Sequence, residues 1–184
     1  TTNNTNEIYD LEMNYNLSTD NQVFAKYDHN FDNSEVNDVL VDTSLGQDVF
    51  YTQGLQGAIA KVNFPTVQNW YSASSAKKYL INKFELSISA EGNNTFELPK
   101  TLMLTYLSTE GIRTFTTSTL DEQSNTYTFT ISPSEVSEQL KLNMFNDMDF
   151  NISHPFPGSN PHQVKLLGSN SNKTPVLKIS FTKY

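Results

Sequence analysis

Apolar residues recur at every second position in six separate stretches of this chain. That spacing restricts the chain to strands with one face in a core and the other in water. Tyr9, Leu11, Met13, Tyr15 and Leu17 alternate with Asp10, Glu12, Asn14 and Asn16. Phe84, Leu86, Ile88 and Ala90 follow the same rule, as do Leu102, Leu104 and Tyr106, then Tyr127, Phe129 and Ile131, and finally Leu177, Ile179 and Phe181. Residues 48–65 join a strand, a turn and a second strand in one run. Gly54 and Gly57 are expected to supply positive φ at the turn, and Ala58, Ala60, Val62 and Phe64 alternate until Pro65 removes a ladder donor. The pattern predicts an all-β antiparallel sandwich or barrel, with turn signals at the short spacing such folds need.

The remaining segments fit between these strands. Residues 23–27 read as a strand returning from the first, and 28–42 as an acidic, Asn-rich loop with a small strand at Val39, Leu40 and Val41. Residues 66–80 hold the only Trp and no period of two, and read as a loop or short helix closing one end. A short strand is expected near 112–115, a strand over 144–153 with Phe150 and Ile152 inward, a rigid proline loop over 154–161 and another strand over 164–167. The period changes once. Ser132-Pro133-Ser134-Glu135 predicts a capping box with Pro at N1, Ile131 and Val136 form a hydrophobic staple, and Val136 and Leu140 face inward on one short helix.

At 184 residues one core suffices, so residues 1–6 read as a flexible linker and 7–184 as a single domain. A net charge of −8 sets the chain against phosphate backbones and anionic lipid, which argues against nucleic acid as a partner. Cysteine is absent, which excludes disulfides, thiolate metal sites and a cysteine nucleophile in this chain. No apolar run is long enough for a membrane helix, so no direct membrane insertion by this chain is expected. The first residue is Thr, as in a trimmed or processed chain.

Tyr51-Thr52-Gln53-Gly54-Leu55-Gln56-Gly57 leads to Val62-Asn63-Phe64-Pro65, then Ile81-Asn82-Lys83-Phe84-Glu85-Leu86, then Val164-Lys165-Leu166-Leu167-Gly168 and Leu177-Lys178-Ile179-Ser180-Phe181-Thr182. Over residues 48–184 this order resembles the C-terminal region of uncharacterised Bacteroidota cell-surface lipoproteins, a domain of unknown function. It is also similar to jelly-roll modules beside secreted carbohydrate-active enzymes. The resemblance implies a jelly-roll-like antiparallel β-sandwich outside the cytoplasm, held at the cell surface or outer membrane by a lipid anchor outside this chain. It further implies envelope proteins or glycans as partners.

Three groups of residues are candidates for chemistry. Asp28, Asn30, Asp32 and Ser34 place oxygens at the 1, 3, 5 and 7 spacing of a calcium loop, but Asn33 stands where such loops have Gly and Val39 where they have Glu. A solvated acidic loop is the simpler reading, so no cofactor is expected unless calcium binds here. Asp147, Asp149, His154 and His162 mix carboxylate and imidazole as a transition metal prefers, on a loop without recognised ligand spacing. Trp70, Tyr71 and Tyr79 offer aromatic faces for a glycan, although Trp70 more simply plugs an open end of the sandwich. Arg113, the sole arginine, reads as a surface ion-pair partner. The sequence carries no GxSxG elbow, Walker loop, HExxH or GxGxxG, so a non-enzymatic module is expected. Glycosylation sequons, as at Asn16 and Asn151, follow from an Asn- and Thr-rich composition.

Overall fold

The computed structural model describes residues 28–73, 79–92, 97–107, 113–156 and 161–183. Among these, the strands are β1 (Val49–Gln53), β2 (Ala60–Val62), β3 (Tyr79–Glu91), β4 (Thr101–Leu107), β5 (Arg113–Asp121), β6 (Thr126–Ile131), β7 (Phe150–Ser153), β8 (Gln163–Leu167) and β9 (Val176–Lys183). Helix α1 (Glu35–Val41) precedes them, and α2 (Pro65–Ser72) and α3 (Pro133–Lys141) lie between strands. The readings of residues 1–6, 9–17 and 23–27 lie outside the described residues.

Every pairing is antiparallel, and the sheet order is β1-β8-β3-β6-β5-β4-β7-β2. The hairpin β4–β5 is the innermost pair, and β3–β6, β2–β7 and β1–β8 succeed it outward in the sequence. A chain paired in this nested way is one long hairpin, and rolling it up gives two four-stranded layers, β1-β8-β3-β6 and β5-β4-β7-β2. This is the jelly-roll arrangement, so the fold is all-β as the alternation requires. The two terminal strands of the order meet again at the β1–β2 turn, where Gln53 N–H donates to Ala58 O at 2.8 Å. β9 stands outside the eight-strand order. It pairs with β3 from Tyr79 to Ser87, beyond the two β3 residues, Ala90 and Glu91, that β8 covers.

The inward positions are those the alternation specifies. Phe84, Leu86 and Ile88 of β3, Leu102 and Leu104 of β4, Phe129 and Ile131 of β6, and Phe150 and Ile152 of β7 are buried in one cluster. Each such side chain contributes about 1.5–3 kcal/mol by leaving water. On the outer face Ser87 and Ser89 meet Thr128 and Thr126 at 2.9 and 3.1 Å. β5 runs to Asp121, longer than the expected strand near 112–115, because it passes from β4 to β6. Where it changes partner, Ser118 Oγ accepts the Thr128 N–H at 2.7 Å in place of a ladder bond.

Local structure departs from expectation at four places. Val39, Leu40 and Val41 belong to α1 rather than to a strand, because Ser34 Oγ accepts the Asn37 N–H at 3.2 Å and starts a helix that buries Val36. Residues 144–153 are not one strand: a 3-10 turn, Phe145–Asp147, precedes the short β7. There Gln68 of α2 donates to Leu140 O and accepts from Phe145 N–H, both at 3.2 Å, tying α2 to the end of α3. Positive φ angles in the β1–β2 turn fall on Leu55 (52°) and Gln56 (62°), and not on Gly57. Gly57 N–H donates to Gly54 O at 3.0 Å across them, the geometry of a type I′ turn.

The fourth departure is at α3, which starts at Pro133 and buries Val136 and Leu140 as expected. The capping box does not form. Ser132 makes no side-chain cap, and Glu135 turns inward to accept from Tyr106 Oη and, at 3.2 Å, from Thr114 Oγ1. The Tyr106 phenol is buried and needs an acceptor, whereas water can serve the exposed start of the helix. α2 resolves the choice left for residues 66–80, with Pro65 at its first position.

Candidate functional site

A cleft of about 800 Å³ opens where β8 gives way to β9. In the upper part of this layer β1 and β8 lie beside β3; lower down β9 takes that place, and its outer edge has no strand beside it among the described residues. Among the described residues the layer is one strand narrower there, which opens its inner face to the cleft. α1 supplies Val36, Val39 and Leu40 to the walls, β1 supplies Phe50 and Tyr51, and the β2 segment supplies Ile59, Ala60 and Val62. Leu86 lies at the bottom, with Phe64 and Pro65 on one side and Pro175 and Leu177 on the other. Leu40 and Ile59 are 57% and 62% exposed, more than isolated core side chains would be. The volume is in the range of ligand-binding clefts.

Polar groups fix the walls. Tyr51 Oη donates to Glu35 Oε2 at 2.7 Å, and Lys165 Nζ approaches the same carboxylate at 3.4 Å and Glu91 at 3.1 Å. Burial, then the hydrogen bond to Glu35, pushes the Tyr51 phenol well above its ordinary pKa, so it stays a neutral donor. The hydrogen bond from Tyr51, then the charge of Lys165, holds the Glu35 carboxyl below the usual range. This network staples α1 to β1 and β8. Gly168 closes one end: its N–H donates to Asp48 O at 2.8 Å, and an added Cβ would lie 2.2 Å from Gln47 O. Lys61 pairs with Asp149 at the mouth.

The aromatic candidates are brought together only in part. Trp70 is half-buried and lies parallel to Tyr79, ring centroids 6.5 Å apart and planes within 9°. Tyr71 is buried in the core and presents no open face. Phe181, which the sequence reading passed over, completes the cluster at 4.4 Å from Tyr79 and 5.7 Å from Trp70, and is 43% exposed.

Of the calcium-spaced residues, Asn30 and Ser34 have local employment. Asn30 Oδ1 accepts the Asp32 N–H at 2.8 Å, and Ser34 caps α1 while donating to Phe31 O at 2.5 Å. Asn33 adopts φ 58°, the left-handed conformation that the glycine of a calcium loop would provide. A cation there would compete with bonds already made. Asp149 precedes β7 and His154 follows it, so strand geometry sets them about 16 Å apart. His154 instead lies near His162, and burial holds its imidazole below the ordinary value. Among the described residues no three side chains of the His, Asp and Glu types converge as metal ligands.

The sequence reading missed the cleft because its walls come from positions 36 to 177. One signal was legible: Ile59 is apolar on the outer face of a strand whose other outward residues, Lys61 and Asn63, are polar. Matched against protein families, curated proteins and solved structures, the chain has no match in any of the three.

Proposed function

We propose that this is a non-enzymatic jelly-roll module of an exported bacterial cell-surface lipoprotein, acting in a protein assembly of the envelope. In this reading its cleft receives an extended, apolar-faced segment of a protein partner. The observation that carries the reading is an apolar cleft beside β9, whose outer edge has no strand next to it among the described residues, with Leu40 and Ile59 exposed at its walls. A sheet edge supplies main-chain hydrogen bonds to an added strand, and pockets beside it select alternate side chains. The resemblance to surface lipoproteins supports the location, and the acidic charge disfavours nucleic acid. The test is affinity capture from envelope extracts with the wild-type chain and with Ile59→Asp. Loss of a specific protein on substitution is expected; equal capture by both chains contradicts the reading.

A second reading is glycan binding at the half-exposed cluster of Trp70, Tyr79 and Phe181. Trp70 parallel to Tyr79, with Phe181 tilted against both, supports this reading. A glycan array would show a signal lost on Trp70→Ala if sugars bind there, and silence across surface polysaccharides removes this alternative.

A further inference from the structure

The three histidines of the chain, far apart in sequence, gather at the β1–β2 turn. Leu55 and Gln56 hold left-handed φ there, a costly backbone for residues other than glycine, so the turn depends on what surrounds it. His29 Nε2 donates to Leu55 O at 2.7 Å. Gly54 N–H donates to His162 O at 3.0 Å, one step beyond the pairing of Gln53 with Gln163. His154 lies beside His162 and completes the group. Continuing the β2–β7 register past Ala60 with Ile152 sets His154 against Ala58, and it is buried on the inward side with Phe150 and Ile152. We propose that His154 is an acid-released latch on the cleft: a proton on its ring frees the β1–β2 turn, and with it Ala58, Ile59 and Ala60 of the cleft wall, and so weakens the hold on a partner segment. The last step rests on the reading above, that the cleft takes an extended segment.

Of the three rings, His154 is the one that acid can displace. His29 donates from Nε2 whether its ring is neutral or charged, so acid leaves that bond in place. A charge on His154 would be buried, and the strands around it bring nothing to offset it: residues 49–60, 101–107 and 150–164 contain no Asp, Glu, Lys or Arg. At the borders of these segments Lys61 is paired with Asp149, and Lys165 with Glu35 and Glu91. Asp28 and Asp32 flank His29 on the segment before α1. His162 is the titratable group that acts on His154, and its charge would oppose a second one. Burial, aided by that charge, keeps the His154 pKa below the ordinary 6.5 while the turn is closed, and an opened turn returns it to water. The closed turn is therefore favoured in full above about pH 6.5, and each pH unit below shifts the balance toward the open turn by at most about tenfold.

Hydrogen exchange of the full chain at about pH 7.5 and about pH 5.0, read as protection factors, tests the latch. Amides 53–60 are expected to lose at least about fivefold more protection than those of β5 and β6, and His154→Phe to abolish the difference. In the unsubstituted chain the His154 ring, followed by NMR, should titrate below 6.5 with the midpoint at which the turn opens. Equal loss of protection in all strands, a difference that persists in His154→Phe, or a His154 midpoint at the ordinary value overturns the inference. If His154→Phe does not fold, the ring titration decides: a midpoint in step with opening of the turn supports the latch, and one out of step overturns it. Capture of the envelope partner should fall at about pH 5.0 for the unsubstituted chain and persist for His154→Phe. Capture that depends on Ile59 yet is equal at both pH values overturns the regulation while the reading of the cleft stands. If the turn opens in acid but capture is indifferent to Ile59→Asp, the reading of the cleft falls and the latch on the turn remains.

Discussion

Gly168 is the position at which a single methyl group would disturb most of the cleft. Its missing Cβ leaves room for Gln47 O at 2.2 Å, so Gly168→Ala must push apart the β8–β9 connection and the start of β1. Such overpacking costs about 1–3 kcal/mol, and in a chain of this size each kcal/mol lowers Tm by about 2–4 °C. Thermal unfolding followed by circular dichroism should therefore show a clear drop in Tm. His154 makes a second prediction at this scale. It is 1% exposed and beside His162, and burial lowers its pKa from the ordinary 6.5. The unfolded chain therefore takes up this proton first as pH falls. The stability that neutral His154 confers is complete above about pH 6.5 and is lost as pH falls below it, by at most about 1.4 kcal/mol per pH unit. Urea unfolding between neutral and mildly acidic pH should show that slope, and His154→Phe should flatten it.

Among the elements, the β1–β2 hairpin holds its turn on unfavourable residues. Leu55 and Gln56 occupy positive φ although the glycines stand on either side of them. Substituting Leu55→Asn with Gln56→Gly should stabilise the chain by about 1 kcal/mol, measured as a higher denaturant midpoint with an unchanged slope. Sequence made the long strands legible, because β3, β6 and β9 combine period-two spacing with flanking turn residues. The start of α3 was legible through Pro133. Shorter elements were not. In α1 only Val36 is fully buried, so its apolar end at Val39, Leu40 and Val41 looked like a strand. Glu135 read as a cap because the spacing fits, while the buried hydroxyl of Tyr106 that claims it lies 29 residues away. Long-range competition of this kind leaves no local trace.

For the whole molecule, the nested pairing of strands explains both the fold and its opening. Among the described residues, eight strands close into two layers, the ninth runs on along β3, and a cleft walled by α1, β1 and β2 lies beside it. The alternation in sequence implied two faces and a core, but the order of strands, and hence the gap, depends on pairings over more than a hundred residues. Under the proposed function, partners meet the molecule at this cleft rather than at any exposed apolar residue. Phe115, 67% exposed on β5, supplies the comparison. The decisive measurement places a photo-crosslinking amino acid at position 59 or at position 115 of the full chain and exposes each to envelope extract. The account predicts a discrete protein adduct from position 59 and none from 115. An adduct from 115 alone, or the same adducts from both, would contradict it.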